Sequence, residues 1–325
     1  MKPLLIHIGY HKTGTTWLQD NLFYQGHESF DPVCGDPKKL GKSFFMNSIS
    51  KADLSPYDDN QKIIQQEWSL YLKERGESSE KVSVISCERL SGNLHEGGYD
   101  SSITARRINK NFPNAKIFIV IREQNSFILS SYFQYLKAGG NLDLEKYLFD
   151  RRPGFSFDHA RFLELIKDYH DLFGQENVHV LPYELFVKDP MAFFKSLEDF
   201  VESKISIDPE QFTVRSNAQQ HTYLFYHLRK LGIFLRSNSL NNQSRWYSPK
   251  TRAFVFKGYD LMGKMGFDRL NTKLKKKLAQ KIDNIVGDRY QESNVELSRL
   301  IGIDLSQYGY QIKAIDSSPN NPSTI

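Results

Sequence analysis

One stretch near the start limits the fold more than any other. Leu4-Leu5-Ile6-His7-Ile8 runs straight into Gly9-Tyr10-His11-Lys12-Thr13-Gly14-Thr15-Thr16-Trp17-Leu18-Gln19. A short apolar, β-rich run meets a turn of glycine and threonine, and a helix-like segment follows from Thr15 to Phe23. A strand that turns directly into a helix aims several backbone N–H groups and the positive helix end at one point, which makes an anion site. Gly14 lets the backbone come close to a ligand and tolerates positive φ. Thr15 and Thr16 add hydroxyl donors in the first turn, and Lys12 adds a full positive charge at the mouth of the loop.

The same alternation continues along the chain. Val82 to Ser86, Ile117 to Ile121 and Val178 to Leu181 read as short buried strands. Helix-like segments cover Ile63 to Lys73, Ser126 to Lys137, Ala160 to Phe173 and Met191 to Val201. Strands separated by helices predict an α/β fold, a central parallel β-sheet flanked by helices. Runs that are apolar throughout, rather than alternating, predict burial on both faces.

Ser29 to Asn60, rich in Gly, Pro, Asp and Ser, breaks the pattern and reads as a long excursion over the sheet, a candidate substrate-side lid. From residue 212 the chain reads as mainly helical, with Leu274, Leu278, Ile282 and Ile285 at helical spacing. Lys273, Lys275, Lys276 and Lys277 on that segment are a solvated face or, alternatively, an anionic acceptor groove. The expected organisation is a single domain over residues 1–313 with a helical C-terminal part, and a disordered tail over residues 314–325.

Composition sets outer limits. A formal charge of +5 suits an anionic ligand and is too small to argue for nucleic acid. The two cysteines, Cys34 and Cys87, form no CxxC pair, and no metal-binding cluster is evident. No apolar run approaches the ~20 residues that span a bilayer, so no integral membrane segment and a cytoplasmic location are expected.

The spacing from Gly9 to Gly14 is that of the ATP/GTP phosphate loop GxxxxGK[ST], yet Thr15 stands where that motif requires lysine. The lysine lies instead two residues before Gly14. A nucleotide kinase and a non-catalytic nucleotide-binding module therefore remain as alternatives. Further on, Arg122 ends a strand-like run, where open α/β sheets bind ligands, and Ser130 follows eight residues later. Arg122 could equally pair with Glu123 or Glu145. Glu88 follows the strand-like run Val82 to Ser86 and would emerge at the same sheet edge. Pairing with Arg89, or capping a turn, is the other reading of Glu88.

The run Tyr10 to Trp17 resembles the 5′-phosphosulfate loop of the sulfotransferases that use PAPS (3′-phosphoadenosine 5′-phosphosulfate), whose pattern is Lys-x-Gly-Thr-Thr after the first strand. Arg122 and Ser130 resemble that family's 3′-phosphate element. Val180 to Pro190, with Tyr183-Glu184 and Asp189-Pro190, is similar to its adenine-contacting segment, although Tyr183 also fits a core role. Ser86-Cys87-Glu88-Arg89-Leu90-Ser91 resembles a Ser-x-Glu-x-x-Ser segment of the carbohydrate and bacterial branch, in which the glutamate is the base.

The resemblance implies a three-layer fold like that of phosphate-loop NTPases and transfer of a sulfonate from PAPS to a hydroxyl or amine, leaving PAP, with no metal required. The donor site it implies comprises His11, Lys12, Thr13, Gly14, Thr15, Thr16, Trp17, Arg122, Ser130 and Tyr183, with Lys12 and Glu88 catalytic. His95 is the reserve base and His7 is structural. The acceptor it implies is a glycan or a small hydroxylated molecule. The match is weak beyond Pro190: Lys257-Gly258 is a fragment of the Arg-Lys-Gly element of one branch, and Arg215 is an uncommitted substitute.

Overall fold

The computed structural model describes residues 3–24, 27–33, 57–76, 79–150, 155–207, 212, 222–230 and 268–312. Five strands form one sheet: β1 (Leu5–His7), β2 (Phe30–Pro32), β3 (Val82–Ser86), β4 (Lys116–Ile121) and β5 (Val178–Pro182). Their order is β2-β3-β1-β4-β5, and every neighbouring pair is parallel. All five carboxyl ends therefore lie at one edge. β1 sits centrally, with Leu5 opposite Val84 on one side and Lys116 on the other.

The helices are α1 (Thr15–Leu18), α2 (Tyr57–Arg75), α3 (Ser101–Asn111), α4 (Gln124–Lys137), α5 (Leu144–Phe149) and α6 (Phe162–Phe173). They continue with α7 (Tyr183–Lys188), α8 (Pro190–Val201), α9 (Thr222–His227), α10 (Asp268–Val286) and α11 (Gln291–Ile301). The central strands are largely apolar because each face meets its own core. Ile117, Ile119 and Ile121 join a cluster with Ile6, Ile108, Phe127 and Ile166. Phe118 and Val120 join a second cluster with Leu5, Leu22, Phe193 and Leu197. Two apolar layers around one sheet make a three-layer α/β arrangement. Leu274, Leu278 and Ile282 of α10 are buried in the first cluster, while Lys273, Lys276 and Lys277 are exposed and Lys275 is half-buried.

Thr15 to Phe23 is helical as expected, although α1 widens into a π-helical turn over Gln19–Phe23. The widening sets Gln19 so that its Nε2 donates to the Ser86 carbonyl and Oγ, each at 3.2 Å. The segment from Ser29 to Asn60 is not wholly an excursion, since its start pairs with β3 as strand β2 and its end opens α2. Asp31 and Pro32 hid that strand, and an edge position tolerates both. The middle of that segment, with Cys34, lies outside the described residues, as do Arg215, Lys257-Gly258 and the tail from 314.

Candidate active site

The loop after β1 is carried along β4 before it turns. Ile8 N–H donates to Phe118 O (2.7 Å) and Tyr10 N–H to Val120 O (3.2 Å). The chain then reverses through two left-handed residues, Lys12 (φ 69°) and Gly14 (φ 83°). A non-glycine residue in that region needs bracing from its surroundings. Arg122 supplies it, with Nη1 donating to the Lys12 carbonyl at 2.9 Å. The Thr13 hydroxyl donates to Tyr10 O at 2.5 Å. Gly14 also requires closeness, because a Cβ there would stand 3.1 Å from the Tyr183 ring.

Leu18 N–H donates to Gly14 O (3.1 Å), which makes Thr15, Thr16 and Trp17 the first helical turn after the loop. Thr13 and Thr15 are buried and Thr16 is half-buried. The Trp17 ring is turned away into the second core, stacked on Phe212 at 5.4 Å and near Phe186 at 5.1 Å. Its side chain is core, and only its backbone lies at the loop.

Arg122 leaves the end of β4 and reaches both neighbours of the loop. Its guanidinium lies 5.0 Å above the half-buried Tyr183 ring, which follows β5 at the sheet edge and packs against the second core. Neither alternative partner holds it: Glu123 caps α4 by accepting from Asn125 and Ser126 N–H, and Glu145 pairs with Lys281 at 2.7 Å. Arg122 Nε is buried with no hydrogen-bond partner among the described residues, as a donor awaiting an anion would be. Ser130 is buried further along α4, the helix that opens just after Arg122.

Glu184 is a neighbour that sequence reasoning did not assign. Its Oε1 accepts from Glu123 N–H (3.1 Å), and its Oε2 accepts from the Tyr310 hydroxyl (3.3 Å). Burial, the main effect, pushes its carboxyl above the ordinary value. It fixes the turn that carries Arg122.

On the other side of β1, Glu88 opens a single 3₁₀ turn, Glu88–Ser91, directly after β3. Arg89 does not bind it away, since Arg89 Nη2 pairs with Asp100 at 2.6 Å. The side chain of Glu88 is 39% exposed, open to an incoming group. Glu88 also acts electrostatically on Lys12. Burial chiefly, then Arg122, pulls the Lys12 ammonium below its ordinary value, Glu88 opposes this, and Lys137 adds to the lowering. His11 lies between, with Nε2 3.3 Å from Gly92 O and Nδ1 3.9 Å from Glu88 Oε1. Burial pulls its imidazole down to about 4, opposed by the Gly92 carbonyl.

The other histidines are placed differently. His7 is fully buried, with Nδ1 2.8 Å from Ser86 Oγ and its pKa lowered by burial to about 3. His95 packs against the rings of Tyr135 and Tyr147, at 6.2 and 6.3 Å. Thus Lys12, Glu88, Arg122 and Tyr183, from four strand ends, converge at one sheet edge. Such an edge beside a central strand is where open α/β sheets bind ligands.

Among solved structures, the chain is similar to a sulfotransferase from Alicyclobacillus acidocaldarius (19% identity, TM-score 0.47, covering 74% of this chain and 98% of that one). It is also similar to a sulfotransferase domain from the curacin biosynthetic pathway (16%, 0.40, 65% and 77%). Mouse sulfotransferase SULT7A1 complexed with PAP is a third (14%, 0.28, 87% and 89%). None of the curated proteins matches the chain. The family model for the sulfotransferase domain matches residues 2–293, from ahead of β1 into α11. The chain belongs to the sulfotransferase family and is a transferase.

Proposed function

We propose that this sulfotransferase takes its sulfonate from PAPS and passes it to a hydroxyl or amine of a carbohydrate or small hydroxylated acceptor. One observation carries the reading: two cationic groups and one carboxylate, Lys12, Arg122 and Glu88, meet at a single sheet edge. A donor with phosphate groups at both the 3′ and 5′ positions needs two anion sites, whereas ATP carries its phosphates in one chain. The orphaned Nε of Arg122 and the close approach at Gly14 fit such a donor.

In this reading the Thr15, Thr16 and Trp17 amides, with the two threonine hydroxyls, hold the 5′-phosphosulfate. Arg122 and Ser130 hold the 3′-phosphate, and Tyr183 lies against the adenine. PAPS supplies an activated sulfonate on a phosphate leaving group. Lys12 stabilises charge that grows on the departing phosphate oxygen. Glu88 takes the acceptor proton as the acceptor oxygen or nitrogen attacks sulfur.

Arg122→Ala is expected to weaken PAP binding roughly ten- to hundredfold, the loss of a charged hydrogen-bonding partner. Adenosine 5′-phosphosulfate, which lacks the 3′-phosphate, should lose far less, and calorimetric titration of both ligands measures the difference. Equal losses would confine Arg122 to bracing the Lys12 carbonyl. For the acceptor, the glutamate base favours sugars over phenols. Transfer of radiolabelled sulfonate across glycans, lipids and phenols tests this, and labelling of phenols alone would overturn it.

A further inference from the structure

We propose that His11 and Glu88 hold the acceptor's proton as a pair, with His11 acting on Glu88 as a positioning residue. This rests on Glu88 being the base. His11 Nε2 lies 3.3 Å from a carbonyl oxygen, Gly92 O, which can only accept. The neutral ring must therefore carry its hydrogen on Nε2, and Nδ1 is left as a bare acceptor. That Nδ1 is buried, has no hydrogen-bond partner among the described residues, and faces Glu88 Oε1 at 3.9 Å. Two acceptors face each other with no proton between them. Such a pair binds one proton better than either member alone, and resists a second.

Burial chiefly keeps the ring neutral before reaction. The Gly92 carbonyl opposes this, Arg89 and Lys12 disfavour the imidazolium, Asp100 favours it, and the buried His159 also acts on the ring. The balance of the step is simple. The acceptor O–H bond breaks as the O–S bond forms and the S–O bond to the leaving phosphate breaks. The proton goes to a Glu88 oxygen, which then donates to His11 Nδ1, and solvent removes it through the exposed side of Glu88. Gly92 enables this arrangement. Its φ is +103°, and a Cβ would stand 2.9 Å from the backbone of Gly98, so only glycine brings its carbonyl under His11.

The test is a double-mutant cycle read by kcat, by KM and by the acid limb of the pH–rate profile. His11→Gln should lower kcat about ten- to hundredfold, well beyond any change in PAP affinity. The unmodified enzyme is expected to show a second protonation step on its acid limb, and this variant should lose it. His11→Gln with Glu88→Gln should be no slower than Glu88→Gln alone, because both act on one proton. A parallel loss of PAP affinity with an unchanged acid limb would make His11 a shaper of the donor loop and overturn the pairing. Additive losses in the double variant would overturn it too. Near-normal turnover of Glu88→Gln would instead show that the base assignment itself had failed.

Discussion

Replacing Lys12 by alanine is expected to reduce sulfonate transfer by at least ~10²–10³-fold, the usual cost of removing one donor from a preorganised charge-stabilising site. In the proposed reading Lys12 stands where charge appears only as the donor's S–O bond breaks, so its contribution would be larger in the transition state than in the bound ground state. The loss should therefore fall on kcat, with a smaller change in KM for the donor. A second cause adds to it. The Lys12 backbone is left-handed and braced by Arg122, so the side chain is aimed by a turn that cannot easily relax. Lys12→Arg keeps the charge on a longer, planar group and should recover only part of the rate. Steady-state kinetics with PAPS measure both variants, and a near-normal kcat for Lys12→Ala would remove Lys12 from the mechanism.

Glu88→Gln is expected to lower kcat by ~10²–10⁴-fold, the range that general-base catalysis supplies. Glutamine has nearly the same shape, so the 3₁₀ turn after β3 should persist. Arg89 keeps its partner Asp100, and the loop from Gly92 stays fastened by Asn93 N–H to Asp100 Oδ1 at 2.9 Å. PAP affinity should thus be retained within about twofold. An equal loss of PAP binding would make Glu88 a structural residue.

Legibility in the sequence followed burial. β3 spans Val82–Ser86 as expected, and β1, β4 and β5 lie within a residue of their expected limits, because a strand buried on both faces is dominated by apolar residues. β2 was hidden by its edge position. α3 was missed because its buried face includes Thr104, Arg107 and Asn111, which blur the apolar period. At the site, the residues that follow strand ends could be named, since parallel strands put their ends together. Contacts that join distant segments could not. Glu184 meets Glu123 across 61 positions and Tyr310 across 126, and His11 reaches Gly92 across 81. No local pattern records such pairs. Trp17 was legible as part of the loop but not as a core ring, because its partners Phe186, Phe194 and Phe212 come from far along the chain.

The donor is the central claim, and thermal unfolding of the unmodified chain tests it most directly. With EDTA present and no added magnesium, PAP at saturating concentration should raise Tm by several degrees, as a ligand bound only to the folded state does. ATP with magnesium should raise it little. A shift with magnesium ATP and none with PAP would contradict the account.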